Sequence, residues 1–465
     1  MKKTNIIITI IFLIFSLVIG VNHEPWADEA QSWIIARDAN SAEILWDIAR
    51  YEGSFPLWHL TLRLFINLGL TYEFLYIVPI IISLIGLIIF LKRVEAPTYV
   101  KVLLPFSYYI FYQYTIIARS YCYLFLAFSL FVITYKNRFE SPLKYIMALI
   151  FLSLISMHGM VISISFMIVF VIEMINAKKI KHYIKELLLF GIMMTIEIII
   201  LFPRSDLYMT VAAVFTIPEI VTGMINTVLG GGNLFFKIYN LISVLLLLYL
   251  FIKLCSLKNK NIPIATALVF FFMFVIRMAS HHCGIIFLLI VFGIILHYDE
   301  VKEKNKNLDK IFIIVLILYS ILSIHSSIND LTKQYSGAKE MANYIEENGY
   351  HNKKIFGFGF KDVSLQPYFS ENLYKNMDEA IYRWSSNNKD FIIYCNFEDY
   401  EKDYFNEIPE YIVLEWDETD SRLKLIEKCI QDTNKYEIEY RTMGHQFFKN
   451  YYSEYEGYTL YKLKQ

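Results

Sequence analysis

Three carboxylates in the first polar segment of this chain are the residues best suited to acid–base chemistry. Asp28 and Glu29 stand side by side in "NHEPWADEAQSW", and Glu52 precedes "GSFPLWHL". A positioned carboxylate can take a proton from a hydroxyl and so generate a nucleophile. We therefore take these three residues as the candidate catalytic acids.

Basic side chains that could neutralise a departing anion occur later in the chain. Arg119 lies in "YTIIARSYCY", and "RMASHHCG" contains Arg277, His281 and His282. Arginine binds phosphate oxygens through paired, charge-assisted hydrogen bonds, so these four residues are candidates for holding a phosphate. Four further ring-bearing side chains could contact a sugar or an acceptor: Trp33, Trp58, His59 and His158.

Each of these residues also has an ordinary structural interpretation. Asp28 could cap the helix predicted over "DEAQSWIIARD", and Glu29 could be a solvated acid in its first turn. The arginines could anchor phospholipid head groups, and the tryptophans could form an aromatic belt at a membrane surface. The histidines could be turn or packing residues.

The candidate residues are separated by long apolar runs. Of the 465 residues, 56% are hydrophobic and 19% are charged, whereas ordinary soluble domains have roughly 45–50% and about 25%. The net charge of −1 gives no overall field for nucleic acid. A helix of about 20 apolar residues crosses a membrane, and we predict eleven spans: 6–20, 74–91, 102–118, 121–135, 143–157, 161–176, 187–202, 238–253, 262–277, 284–297 and 311–326.

Lysine and arginine between the runs predict the orientation, because cytoplasmic loops concentrate these residues. Lys2 and Lys3 place the N-terminus in the cytoplasm, and the first apolar run is interpreted as a retained helix and not a cleaved signal peptide. The later basic loops fall on the same side if segment 55–70 does not cross but lies on the outer face or re-enters. The candidate residues then gather on the outer face.

These patterns predict an all-α polytopic membrane protein with about eleven spans, outer-face juxtamembrane helices and a small C-terminal α/β domain. The membrane domain covers 1–326, with its first outer loop at 21–73, and the extracytoplasmic domain covers 327–465. In the latter, helices are predicted at 337–349 and 421–435, and strands at 354–360, 390–397 and 411–416. Cys395 and Cys429 could pair there.

The order of "DEAQSW", "EGSFPLWHL" and "ARSY", followed by "RMASHHCGIIFLL", resembles the GT-C glycosyltransferases. These multi-pass enzymes include the protein O-mannosyltransferases and the aminoarabinose transferases of lipid A. The similarity covers the membrane part and is most specific in its first third. Relatives often have Gly-His-Pro-Pro where this chain has Gly53-Ser54-Phe55-Pro56, so no role of that His is transferred, although His59 follows a turn later.

The resemblance implies a glycosyltransferase that takes a sugar from a polyprenyl-phosphate donor at the outer face of a bacterial cell membrane. It implies that Asp28 activates the acceptor, that Glu52 is a second acid, and that Arg119 and Arg277, with His281 or His282, neutralise the lipid phosphate. The acceptor would be an envelope glycan, glycolipid or protein. Without a DxD pair in the first outer loop, no obligatory metal is predicted, although Asp28 and Glu29 could hold a divalent ion weakly.

Three other functions remain open at the level of sequence. A transporter or flippase of lipid-linked saccharides would use mid-span charges, for which Glu173 and Glu197 are the nearest candidates. A membrane polymerase or ligase could use His158 or His281 as its base. A non-catalytic surface protein would use its soluble domain to bind a partner.

Overall fold

The computed structural model describes residues 3–207, 234–275, 280–385, 408–416, 421–448 and 451–464. Most of the first 332 residues are helical. In chain order the helices are α1 (Lys3–Asn22), α2 (Ala27–Asp38), α3 (Leu57–Asn67), α4 (Ile77–Arg93), α5 (Thr98–Leu103), α6 (Leu124–Tyr135), α7 (Pro142–Ser153), α8 (Met157–Asn176), α9 (Ile184–Leu201), α10 (Leu234–Cys255), α11 (Asn261–Val275), α12 (Cys283–Leu296), α13 (Tyr298–Lys304) and α14 (Leu308–Thr332).

Several of these helices are long and apolar enough to cross a membrane, which indicates a membrane protein. Within the described residues there are five such helices, or six if α12 and α13, bent by 82°, form one span. Most of the eleven predicted spans coincide with a helix, but several are short. A helix of 12 residues such as α7 rises only about 18 Å, less than the roughly 30 Å of a hydrocarbon core.

The predicted span at 102–118 is not a continuous α-helix. Proline lacks the amide hydrogen that a helix interior requires, and here Pro105 lies in a 3₁₀ turn, Leu104–Phe106, just after α5. A π-helix, Tyr109–Ile116, follows, and all of its residues are buried. Residues 118 and 119 form a short non-helical hairpin between this π-helix and the next 3₁₀ turn, with Arg119 extended and Ala118 buried.

The first predicted loop, residues 21–73, folds onto the end of the bundle through α2 and α3. Between them lie a short turn, Ser41–Glu43, a π-helical turn, Ile44–Ile48, and Ala49–Glu52. The last of these ends at Gly53, whose φ of 63° suits glycine. Helix α3 has 11 residues and rises about 16 Å, so segment 55–70 does not itself form a spanning helix.

The C-terminal part is a small α/β unit, as predicted. A four-stranded sheet has the order β1 (Ile355–Phe358), β2 (Tyr411–Trp416), β6 (Gly457–Leu463), β3 (Tyr436–Thr442), and β4 (His445–Phe448) pairs with β5 (Tyr451–Tyr455). Among the strands of the described residues, β1 and β2 pair in parallel and the other pairs are antiparallel. Helices α15 (Ala338–Glu347) and α16 (Ser421–Asp432) belong to two separate apolar clusters, which contain Val413 and Ile412 respectively. The predicted strand at 390–397 and Cys395 lie outside the described residues.

The two ends of the membrane part meet at the candidate site. His23, directly after α1, contacts Asp330 near the end of α14 at 2.9 Å. Helix α14 continues to Thr332, past the predicted domain boundary at 326. The loop at 21–73 and the C-terminal unit are therefore neighbours at one end of the bundle.

Candidate functional site

The hairpin at residues 118 and 119 holds the first turn of α2 through both of its acids. The guanidinium of Arg119 forms an ion pair with the carboxylate of Asp28, and the main-chain amide of Ala118 donates to Glu29 Oε1 at 2.5 Å. Trp26, and not Asp28, occupies the N-cap position of α2. The capping interpretation of Asp28 is therefore wrong, and its carboxylate faces a cation instead.

Glu29 is fully buried, so its interpretation as a solvated acid is also wrong. Its second oxygen lies 3.1 Å from Nε2 of His23, whose Nδ1 lies 2.9 Å from Asp330. Burial alone would lower the pKa of His23, but the two carboxylates raise it well above its ordinary value. A buried imidazolium between two carboxylates satisfies all three groups, so Glu29 ties α2 to the bundle.

Glu52 lies within range of the Asp28–Arg119 pair. Its Oε1 is 3.4 Å from the amide nitrogen of Gln31. Burial raises the pKa of Glu52 to about 7, the Gln31 amide opposes this rise, and the charge of Asp28 adds to it. A carboxyl group that titrates near neutral pH suits general acid–base catalysis.

His59, on α3, lies within the electrostatic reach of Arg119. It is 4% exposed, and burial together with the charge of Arg119 lowers its pKa to about 4. Its Nε2 is buried without a hydrogen-bond partner in the described part of the chain. A neutral imidazole with an unused nitrogen can accept or donate a hydrogen bond to a ligand.

The rings of His281 and His282 lie beside that of Tyr121, and His158 lies against His282. The ring of His282 lies 3.8 Å from that of His158 and 4.1 Å from that of His281, and His282 Nε2 is 2.8 Å from the Tyr121 hydroxyl. Burial, together with the charge of Arg119, holds the pKa of His281 well below its ordinary value. His281 therefore has no charge to offer a phosphate at neutral pH. Arg277 lies outside the described residues.

The two candidate tryptophans lie inside the apolar core. Trp33 and Trp58 are each 3% exposed, and Trp33 packs against Tyr72 with ring centroids 5.4 Å apart. They therefore do not form an exposed aromatic belt. Trp58 Nε1 is buried without a partner among the described residues, whereas Trp33 serves packing.

A cavity opens on the Glu29 side of α2, lined in part by His23, Tyr72 and Ala118, but Asp28 and Arg119 are not among its lining residues. In the described residues no group of three or more His, Cys, Asp or Glu side chains could hold a metal ion. Asp28 and Glu29 have different partners, Arg119 and the Ala118 amide respectively.

The mid-span acids that a transporter could use have partners in the structure. Glu173 forms a bidentate pair with Arg138 at 2.6 and 2.8 Å, and Glu197 accepts a hydrogen bond from Ser153 at 2.8 Å. Glu173 is thus held by the charge of Arg138, in the turn after α6, and Glu197 by the Ser153 hydroxyl at the end of α7.

The sequence reasoning did not assign four polar residues that belong to this arrangement. Tyr121 and Gln31 stand inside the motifs "ARSY" and "DEAQSW", so their position was a usable signal. His23 precedes the acidic pair in the same short segment. Asp330 lies at the end of the last apolar run, where only the folded chain shows that it reaches His23.

No family model, curated protein or solved structure matches this chain. The function has to be argued from the site itself.

Proposed function

We propose that this protein is a glycosyltransferase of the GT-C type. It moves a sugar from a polyprenyl-phosphate donor to an acceptor of the cell envelope, at the outer face of a bacterial membrane. The observation that carries the proposal is the ion pair of Asp28 with Arg119, next to a buried Glu52. An acid for the acceptor hydroxyl and a cation for the leaving phosphate are thereby brought together at one end of an apolar bundle.

The transfer needs three coordinated events. The acceptor oxygen forms a bond to the anomeric carbon, the bond from that carbon to the phosphate oxygen breaks, and the bonding electrons leave with the phosphate. A carboxylate takes the hydroxyl proton, and a guanidinium stabilises the charge that grows on the phosphate. Asp28 has the first role by its motif position, and Glu52, with a pKa of about 7, is the second acid.

The ion pair itself supplies a way to couple donor binding to catalysis. While Arg119 holds Asp28, neither group is free for substrate. A donor phosphate that binds the guanidinium through two hydrogen bonds would replace the Asp28 carboxylate and release it as a base. The neutral rings of His59 and His281 can then hydrogen-bond to the sugar or phosphate without adding charge.

In this proposal the site lies on the outer side of the membrane. The basic loops place the N-terminus in the cytoplasm, so the outer loop and the C-terminal unit face outward. There a lipid carrier, and not a nucleotide sugar, is the donor at hand, and its chain would lie between the spanning helices.

A second candidate function is a membrane polymerase or ligase that uses an imidazole as its base. The close packing of His158, His281 and His282 favours it, because neutral rings have lone pairs for accepting a proton. This function predicts loss of product on His281→Gln and normal turnover with Asp28→Asn.

The test is to give the purified protein labelled polyprenyl-phosphate sugars together with an extract of bacterial envelopes, and to follow the label by mass spectrometry. Transfer that is lost in Asp28→Asn, at normal membrane level, supports the proposal. No transfer from any donor, or full transfer by Asp28→Asn, would reject it.

A further inference from the structure

One segment of the C-terminal unit, residues 379–385, lies across the first outer loop; we call it the strap. Arg383 pairs with Glu43 at 2.9 Å, and the Ser385 hydroxyl bonds to Asp206. Ile381 is buried in an apolar cluster that contains Ile34 and other residues of this loop. The strap is thus fixed to the loop by charge and by packing, and to Asp206, after α9, by a hydrogen bond.

At its centre the strap contacts Gln31, which is 3% exposed. The amide nitrogen of Gln31 donates to the main-chain oxygen of Tyr382 at 2.5 Å, and its amide oxygen accepts from the main-chain nitrogen of Tyr382 at 3.2 Å. If the Gln31 amide were flipped, its oxygen would face the main-chain oxygen of Tyr382. The main chain of Tyr382 therefore fixes the orientation of this side chain.

The same amide nitrogen has a second hydrogen, and Glu52 Oε1 lies 3.4 Å away. An amide carries two N–H donors, and Tyr382 uses one of them. Because the strap fixes the orientation of the amide, the second N–H of Gln31 faces the Glu52 carboxyl. Asp28 and Arg119 are the charged groups that act on this carboxyl, and Gln31 is its neutral donor.

We infer that Gln31 is a positioning residue for Glu52 and that the C-terminal unit, through the main chain of Tyr382, is a working part of the site. The catalytic meaning of this link depends on the proposed function, but the link itself does not. It implies that a change in the strap alters the protonation of a carboxyl group in the membrane part.

The protonation of Glu52 can be read directly from the infrared band of its protonated carboxyl, identified as the band missing in Glu52→Gln. Gln31→Met keeps the size of the side chain but removes the donor. An N–H donor favours the ionised acid, so its loss raises the titration midpoint by about half a unit to one unit, a three- to tenfold change in the acid dissociation constant. Ser32→Ala is the matched control, because the Ser32 hydroxyl bonds only within α2, and its midpoint equals that of the wild type.

An unchanged midpoint in Gln31→Met would overturn the inference. If that variant does not fold, Gln31→Leu decides in the same way. It also removes the donor and adds no charge, so the midpoint must rise as in Gln31→Met. The readout involves no sugar donor. A shift without any sugar transfer therefore rejects only the proposed function, and transfer without a shift rejects only this inference.

Discussion

The carboxylate of Asp28 is paired with the guanidinium of Arg119, a residue 91 positions later in the chain. The pair links the first helix outside the bundle to a hairpin between two buried segments. About a quarter of each side chain is exposed, 27% for Asp28 and 29% for Arg119. A ligand can therefore reach the pair, although most of each side chain is shielded from solvent.

This relationship predicts coupled stabilities. Asp28→Asn and Arg119→Gln each leave one charge without its partner, so the double variant loses less free energy of unfolding than the two single losses combined. For a partly exposed pair we expect a coupling of about 1 kcal/mol. Thermal unfolding of the four proteins in one detergent measures it. Strictly additive losses would mean that the contact contributes nothing.

Glu52 predicts a dependence of stability on pH. Its pKa is raised from the ordinary 4.5 to about 7, so between these values the folded protein holds a proton that the unfolded chain has released. The free energy of unfolding contributed by Glu52 therefore falls as pH rises through this window. Glu52→Gln does not lose this free energy, because its side chain does not ionise. It should have a higher melting temperature than the wild type at pH 8, and the difference should become smaller towards pH 4.5. A difference that grows towards low pH would contradict the burial of this group.

His23 predicts a large structural effect. His23→Leu leaves the carboxylates of Glu29 and Asp330 buried without their cation, which costs about 3–5 kcal/mol. The effect should be fully present below pH 6.5 and shrink as pH rises through the raised pKa of His23, because the imidazolium is then lost in the wild type too. His351→Leu is the control, since His351 lies beside Glu346 with 32% of its side chain exposed. The measurement is the melting temperature of each variant at two pH values. Equal decreases for His23→Leu and His351→Leu would contradict the stabilising role of His23.

Tyr121 predicts an effect on activity that exceeds its effect on stability. Tyr121→Phe removes the hydroxyl that lies 2.8 Å from His282, which costs about 1 kcal/mol of stability and frees a ring of the imidazole cluster. Tyr123→Phe is a matched control, because it removes a hydroxyl bonded to Thr61 at 2.6 Å. We expect at least a tenfold slower transfer in the first variant and a normal rate in the second. Equal rates for the two variants would exclude Tyr121 from the site.

Much of the helical architecture could be predicted from the sequence because apolar runs are long and sharply bounded. The break at Pro105 was missed, since its neighbours are as apolar as those of a true span. In the C-terminal unit, β1 and β2 were predicted, but β3 to β6 were not. Tyrosine, charged residues and glycine dominate β5 and β6, so neither shows the apolar alternation of a recognisable strand.

The sequence indicated candidate residues for the site but not the contacts between them. The residue types and their order in the sequence indicated Asp28, Glu52, Arg119 and the histidines as candidates. In the folded chain these residues lie near one another. That Arg119 would be held by Asp28, or that Glu29 would be buried against His23, depends on contacts between distant segments. Such contacts leave no trace in the spacing of either segment.

The initial rate of sugar transfer from a labelled polyprenyl-phosphate donor tests the central claim most directly, measured for the wild type, Asp28→Asn and Asp38→Asn. Asp38 lies at the other end of α2 and pairs with its neighbour Arg37 at 2.6 Å, so its substitution controls for damage to the helix. We predict transfer by the wild type and by Asp38→Asn, and a rate at least about 100-fold lower for Asp28→Asn, as expected for the loss of a general base. Equal rates for Asp28→Asn and the wild type would contradict the account.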